Sequence, residues 1–152
     1  MSIAVYNAVS MILNDGGNEH RFTLKLSPTT DSFRLENGQF KRSVFIGRRM
    51  FNKMFQLIRN EYGTVMGRIQ YSDHEMKRGS ASTTEHEQFH FEIHEGKNVE
   101  VMINNDENPT HTLKVTLPNT LENKRERELH LNTLIPSVLA MLIFCKEARL
   151  IV

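Results

Sequence analysis

The feature that most constrains this chain is period two. Apolar and polar residues alternate in short runs along most of its 152 residues. In "RFTLKL" at 21–26, Phe22, Leu24 and Leu26 share one face. "SFRL" at 32–35 alternates likewise, "FKRSVFI" at 40–46 and "TVMGRIQY" at 64–71 read as further strands, and another is expected at about 87–94, where Phe89, Phe91 and Ile93 alternate with His90, Glu92 and His94. Alternation is the mark of a half-buried strand, because successive side chains point to opposite faces. Further strands are expected at 3–12, where a short helix is the alternative, and at 99–104, 111–117 and 127–132. "NDGG" at 14–17 and Asn37-Gly38 supply turns. The stretch 72–85 has no periodicity and reads as a loop.

Two stretches break the alternation. "RRMFNKMFQLIRNEY" has apolar residues at 50, 51, 54, 55, 57 and 58, a helical spacing, with Gly63 as its C-terminal stop. Arg48 and Arg49 would open that helix, where positive charge opposes the macrodipole. "TLIPSVLAMLIFCKEARL" is the closing helix, capped by Asn132 or Thr133, with Pro136 tolerated in the first turn. It carries apolar residues almost all round. One small sheet cannot cover such a helix, so a second helix is expected to, and the chain is expected to self-associate.

The expected fold is therefore α+β. Antiparallel sheets are each followed by a helix, in two pseudo-repeated ββββα-like halves of one domain, about 1–63 and 64–152. The segments at 42–58 and 127–143 rhyme in pattern at an offset of 85 residues.

Composition narrows the class. One cysteine, Cys145, forbids an intramolecular disulfide and fits a reducing cytosol. It is expected to be an inert buried thiol. No signal peptide is evident, and the apolar run 138–145 is too short to span a bilayer. A cytoplasmic location with no membrane contact follows (the host cytoplasm, were the chain viral). Charge is uneven. Residues 1–76 carry ten Lys/Arg against seven Asp/Glu, and 77–152 carry nine against eleven. From 37 to 60 there are six cations and no acid, which suggests an anion-binding surface.

His86, Glu87 and His90 spell H-E-x-x-H, and His94 follows. A zinc hydrolase needs that motif on a helix, so that both rings reach one ion. On a strand, His86 and His90 stand about 13 Å apart and cannot share a metal. The phenylalanines and Ile93 between them argue for a strand. No metal, no cofactor and no enzymatic activity are expected.

The run Arg42-Ser43-Val44-x-Ile46, then Phe51, Met54 and Ile58, resembles the strand-to-helix segment of the positive cofactor four and Whirly families. These are single-stranded-DNA-binding transcription cofactors. The match covers about seventeen residues. It departs from the family where Ser43 replaces a usual glycine, and it lacks the Whirly lysine signature. The resemblance implies a non-catalytic protein that binds single-stranded DNA or RNA in transcription or replication. It further implies a homo-oligomer, an RNA polymerase as candidate partner and a phage as candidate source. Strand parity puts Arg21, Thr23, Lys25, Arg34, Lys41, Ser43, Phe45 and Arg68 on one polar face. Arg21, Lys25, Arg34, Lys41, Arg42, Phe45 and Arg68 are the expected contacts, although Arg42 points inward by parity. The rival reading is an assembly module whose basic face meets an acidic protein.

Overall fold

The computed structural model describes residues 7–27, 32–38, 40–49, 52–84, 87–105, 108–118 and 124–149. Ten strands follow one another in chain order: β1 Asn7–Asp15, β2 Asn18–Leu26, β3 Ser32–Glu36, β4 Lys41–Arg49, β5 Asn52–Arg59, β6 Val65–Tyr71, β7 Arg78–Thr83, β8 Gln88–Glu95, β9 Asn98–Asn105 and β10 Asn108–Pro118. A single helix, α1, runs over Lys124–Glu147. Each strand pairs antiparallel with its neighbour in sequence, and β1 pairs with β10 at Ile12 opposite Thr116. The sheet is thus a closed barrel, and closure leaves no edge strand to protect.

Alternation builds the wall. Phe22, Leu24, Leu26, Phe33, Leu35 and Val44 are all buried, as are Phe89, Phe91, Ile93, Val101, Ile103, Leu113, Val115 and Leu117. Their outward neighbours in sequence are mostly polar. Ten strands at ~4.8 Å spacing and ~40° tilt enclose a radius of roughly 10 Å. Side chains alone do not fill that space, and α1 occupies it. From Leu134 to Leu142, and again at Phe144 and Cys145, every helix residue is buried. The contacts come from several sides of the wall: Phe144 against Phe40, the Arg42 guanidinium over the Phe144 ring, and Lys146 near Phe89 on β8.

The α+β expectation with two ββββα-like halves is therefore wrong. There is one barrel and, among the described residues, one helix. Three local causes account for it. The expected helix after Gly47 is instead β4 running on to Arg49 and then β5. Apolar residues on both faces of β5 mimic helical spacing: Ile58 is buried in the core, while Phe55 and Leu57 lie half-buried on the outside. Arg48 and Arg49 thus end a strand rather than open a helix; Met50 and Phe51 lie outside the described residues. The expected loop 72–85 contains β7, whose inward positions are Gly79 and Ala81. Its small residues hid the alternation. They are small because a Cβ at Gly79 would come within 2.9 Å of Phe91 Cζ and 2.2 Å of the Gln70 carbonyl oxygen.

The expected strand 127–132 belongs to α1, and the helix begins at Lys124 rather than at an Asn132 or Thr133 cap. Pro136 is therefore deep inside the helix, where it leaves the Asn132 carbonyl without its helical donor. That costs about 3 kcal/mol in an isolated helix. Burial of Leu134, Ile135, Leu139 and Leu142 offsets it, at about 1.5–3 kcal/mol for each fully buried side chain. The barrel wall also supplies the all-round cover for which a second helix was expected. The apolar helix no longer implies a second subunit.

Candidate nucleic-acid interface

Parity assigns the outer surface of β2–β6. Lys25 on β2 stands opposite Arg34 on β3, and Arg34 opposite Ser43 on β4. Glu36 on β3 lies between Thr23 and Lys41. Phe45 on β4 lies between Ser32 and Arg59. Leu57 on β5 lies between Gly47 and Arg68, with Ser82 beyond. These rows form one continuous patch on the outside of five adjacent strands.

The patch is cationic with an exposed ring. Phe45 is 46% exposed, although it sits in the middle of a strand. The Arg21 and Lys41 side chains are 72% and 64% exposed. Arg34 and Arg68 make no ion pair among the described residues. Lys25 and Lys41 share one carboxylate, with Glu36 at 3.3 Å and 3.6 Å. Burial pushes the Glu36 carboxyl up, but its hydrogen bond to Lys25 and the Lys25 and Lys41 charges outweigh this and hold it below the usual range. Arg21 is 4.0 Å from Glu19. Six cations, Arg59 included, thus face two carboxylates.

Arg42 does not join this surface. Its side chain enters the barrel end, 4.6 Å from the Phe144 ring centroid, and pairs with Glu61 at 3.3 Å and Glu147 at 3.6 Å. There it ties the end of α1 to the wall. The other six expected contacts, Arg21, Lys25, Arg34, Lys41, Phe45 and Arg68, share the outer face. Sequence reasoning missed Arg59, Phe55 and Leu57 by placing them on a helix. Reading 54, 56 and 58 as the inward set would have exposed them.

The opposite wall differs. His90 and His94 are exposed on β8, so the strand reading of these two histidines holds; His86 lies outside the described residues. Glu92 pairs with Arg78 at 3.2 Å, and Glu100 with Lys114 at 3.5 Å. This side is balanced rather than cationic. A cavity of about 340 Å³ opens where α1 leaves the barrel, between Met66, Thr83, Ile143 and Lys146. Lys146 closes onto Glu87 in an ion pair there. Among the described residues, no helix is long and apolar enough to cross a membrane.

No protein-family model, no curated protein and no solved structure matches the chain.

Proposed function

We propose that this protein binds single-stranded nucleic acid, without catalysis, on the outer face of β2–β6. The observation that carries the reading is Phe45: an aromatic residue 46% exposed in mid-strand, with Arg59 directly opposite, Arg34 on the neighbouring β3 and Arg68 two strands away on β6. Single strands need this combination, cations for the phosphates and a ring for bases to stack on. Arg21, Lys25, Arg34, Lys41, Arg59 and Arg68 serve as phosphate contacts and Phe45 as the stacking platform. Base edges are not read, so sequence preference is slight. A role in transcription or replication, with or without a polymerase partner, fits this activity.

Fluorescence anisotropy with single-stranded DNA, single-stranded RNA and duplex DNA, over a salt series, tests it. With four or five phosphates neutralised, log K falls against log salt at a slope of roughly −3. A Lys25→Ala, Arg34→Ala, Lys41→Ala variant loses most of that affinity and flattens the slope. Arg42→Ala is the control: it loosens α1 and lowers stability but leaves affinity nearly intact. A folded parent with no affinity at low salt would sink the proposal in favour of a basic face for an acidic protein.

A further inference from the structure

Among the described residues, Phe45 and Tyr62 are the two large apolar or aromatic side chains left exposed, and Tyr62 is 86% exposed. It sits on the turn between β5 and β6. That turn is firmly built. The Asn60 side chain accepts from the Tyr62 and Thr64 amides at 2.9 and 3.0 Å. The Asn60 amide donates to the Thr64 carbonyl, and the Gly63 amide to the Asn60 carbonyl, both at 3.0 Å. Gly63 takes a φ of +80°, which closes the turn at no steric cost. On one side Arg59 Nη1 donates to the Gly63 carbonyl at 3.1 Å. On the other, Glu61 Oε1 accepts from the Ser43 amide at 3.1 Å and from Arg42, clipping the turn to β4. These bonds fix the backbone of the turn, and the Tyr62 side chain stands out from it in water. Such a turn offers an exposed ring to an external planar partner without a loop to be ordered on binding.

We propose that Tyr62 is a second base-stacking platform, so that the bound strand runs from Phe45 past Arg59 to the β5–β6 turn. This rests on the nucleic-acid reading above and extends it to a residue outside the cationic sheet face. Arg59 lies between the two rings in the fold. It is opposite Phe45 on the ladder and bonded to the turn that carries Tyr62. One of its five N–H donors is used by the Gly63 carbonyl, and the remaining fork can meet a phosphate. The order ring, cation, ring would take base, phosphate, base.

The test measures binding of a ten-residue oligothymidylate and of the same length of abasic DNA. Tyr62→Ala weakens the oligothymidylate roughly tenfold, within the range of one stacked base, while Tyr62→Phe stays within about twofold. Neither changes affinity for the abasic strand. In a Tyr6→Phe background, oligothymidylate quenches tyrosine emission, and less so once Tyr62→Phe is added, since Tyr71 is buried. If the parent binds and Tyr62→Ala binds as tightly, or if it loses as much on the abasic strand, the second platform is overturned and the Phe45 site stands. If the parent binds no single strand at low salt, the broader reading falls and this one with it.

Discussion

Tyr71 Oη donates to Gln56 Oε1 at 2.6 Å inside the barrel, with both residues almost fully buried. Gln56 is a polar side chain at an inward position of β5, and the tyrosine on the neighbouring strand satisfies it. The same ring meets Phe91 edge-on at 5.6 Å. Tyr71→Phe keeps the packing but removes the donor. It should destabilise the fold by about 1–2 kcal/mol, as a buried acceptor loses a partner. Adding Gln56→Leu should recover part of that loss. Urea denaturation of both variants checks this, with an unchanged m value marking an intact fold.

Gly79→Ala should be among the costlier single-methyl changes. The new Cβ would meet the Gln70 carbonyl oxygen at 2.2 Å and the Tyr71 Cα at 2.8 Å, both backbone atoms that cannot swing aside. The β6–β7 ladder would have to part. A loss of about 3 kcal/mol or a failure to fold is expected. Gly38→Ala meets nothing within 4 Å and should stay within about 0.5 kcal/mol. Equal unfolding midpoints for the two variants would contradict the close packing of β6 on β7.

These two glycine positions also mark what the sequence could and could not reveal. Where inward residues are large and outward ones polar, as in Phe22-Thr23-Leu24-Lys25-Leu26, the strand is plain from the letters. In β7 the inward positions are Gly79 and Ala81, both small, Gly79 because the β6 backbone and Phe91 already fill its space, and no alternation is left to read. In β5 the difficulty is reversed. A polar Gln56 points in and an apolar Leu57 points out, so a strand copies a helix. Both failures are long-range effects, since the partner that explains each residue lies on another strand. The closing helix was legible as apolar all round, but its cover was not. That cover is a lumen assembled from all ten strands. The cationic face survived the change of fold because strand parity, not topology, defines it.

Glu36→Gln should tighten single-strand binding at low salt. It frees Lys25 and Lys41 from their shared carboxylate and removes a negative charge from the patch. A gain of several-fold that vanishes at high salt is the expected anisotropy result. The carboxyl is also a pH sensor of known sign. Its folded pKa lies below the ordinary 4.5, so its stabilising contribution is present above that value and is lost as pH falls through the lower folded value. Acid titration of the parent against Glu36→Gln should differ only in that range.

Cys145 is buried, and burial pushes its thiol from 9.0 up to about 12. The thiolate is the reactive form, so an aromatic disulfide reagent at pH 8 should leave the folded protein untouched and label it fully in denaturant. The linkage runs toward alkali. Stability from the neutral thiol is complete below about 9 and declines as pH rises toward 12. Rapid labelling under native conditions would show that the end of α1 opens readily.

The seam between Ile12 and Thr116 joins the first strand to the last, and the helix that fills the lumen is made after both. A wall closed around an empty lumen would strand its apolar lining, and a helix made after β10 cannot enter a finished cylinder from the side. Sealing the seam and seating the helix are therefore favoured as one event. On the ribosome, β1 must wait, unsealed, at least until β10 has emerged.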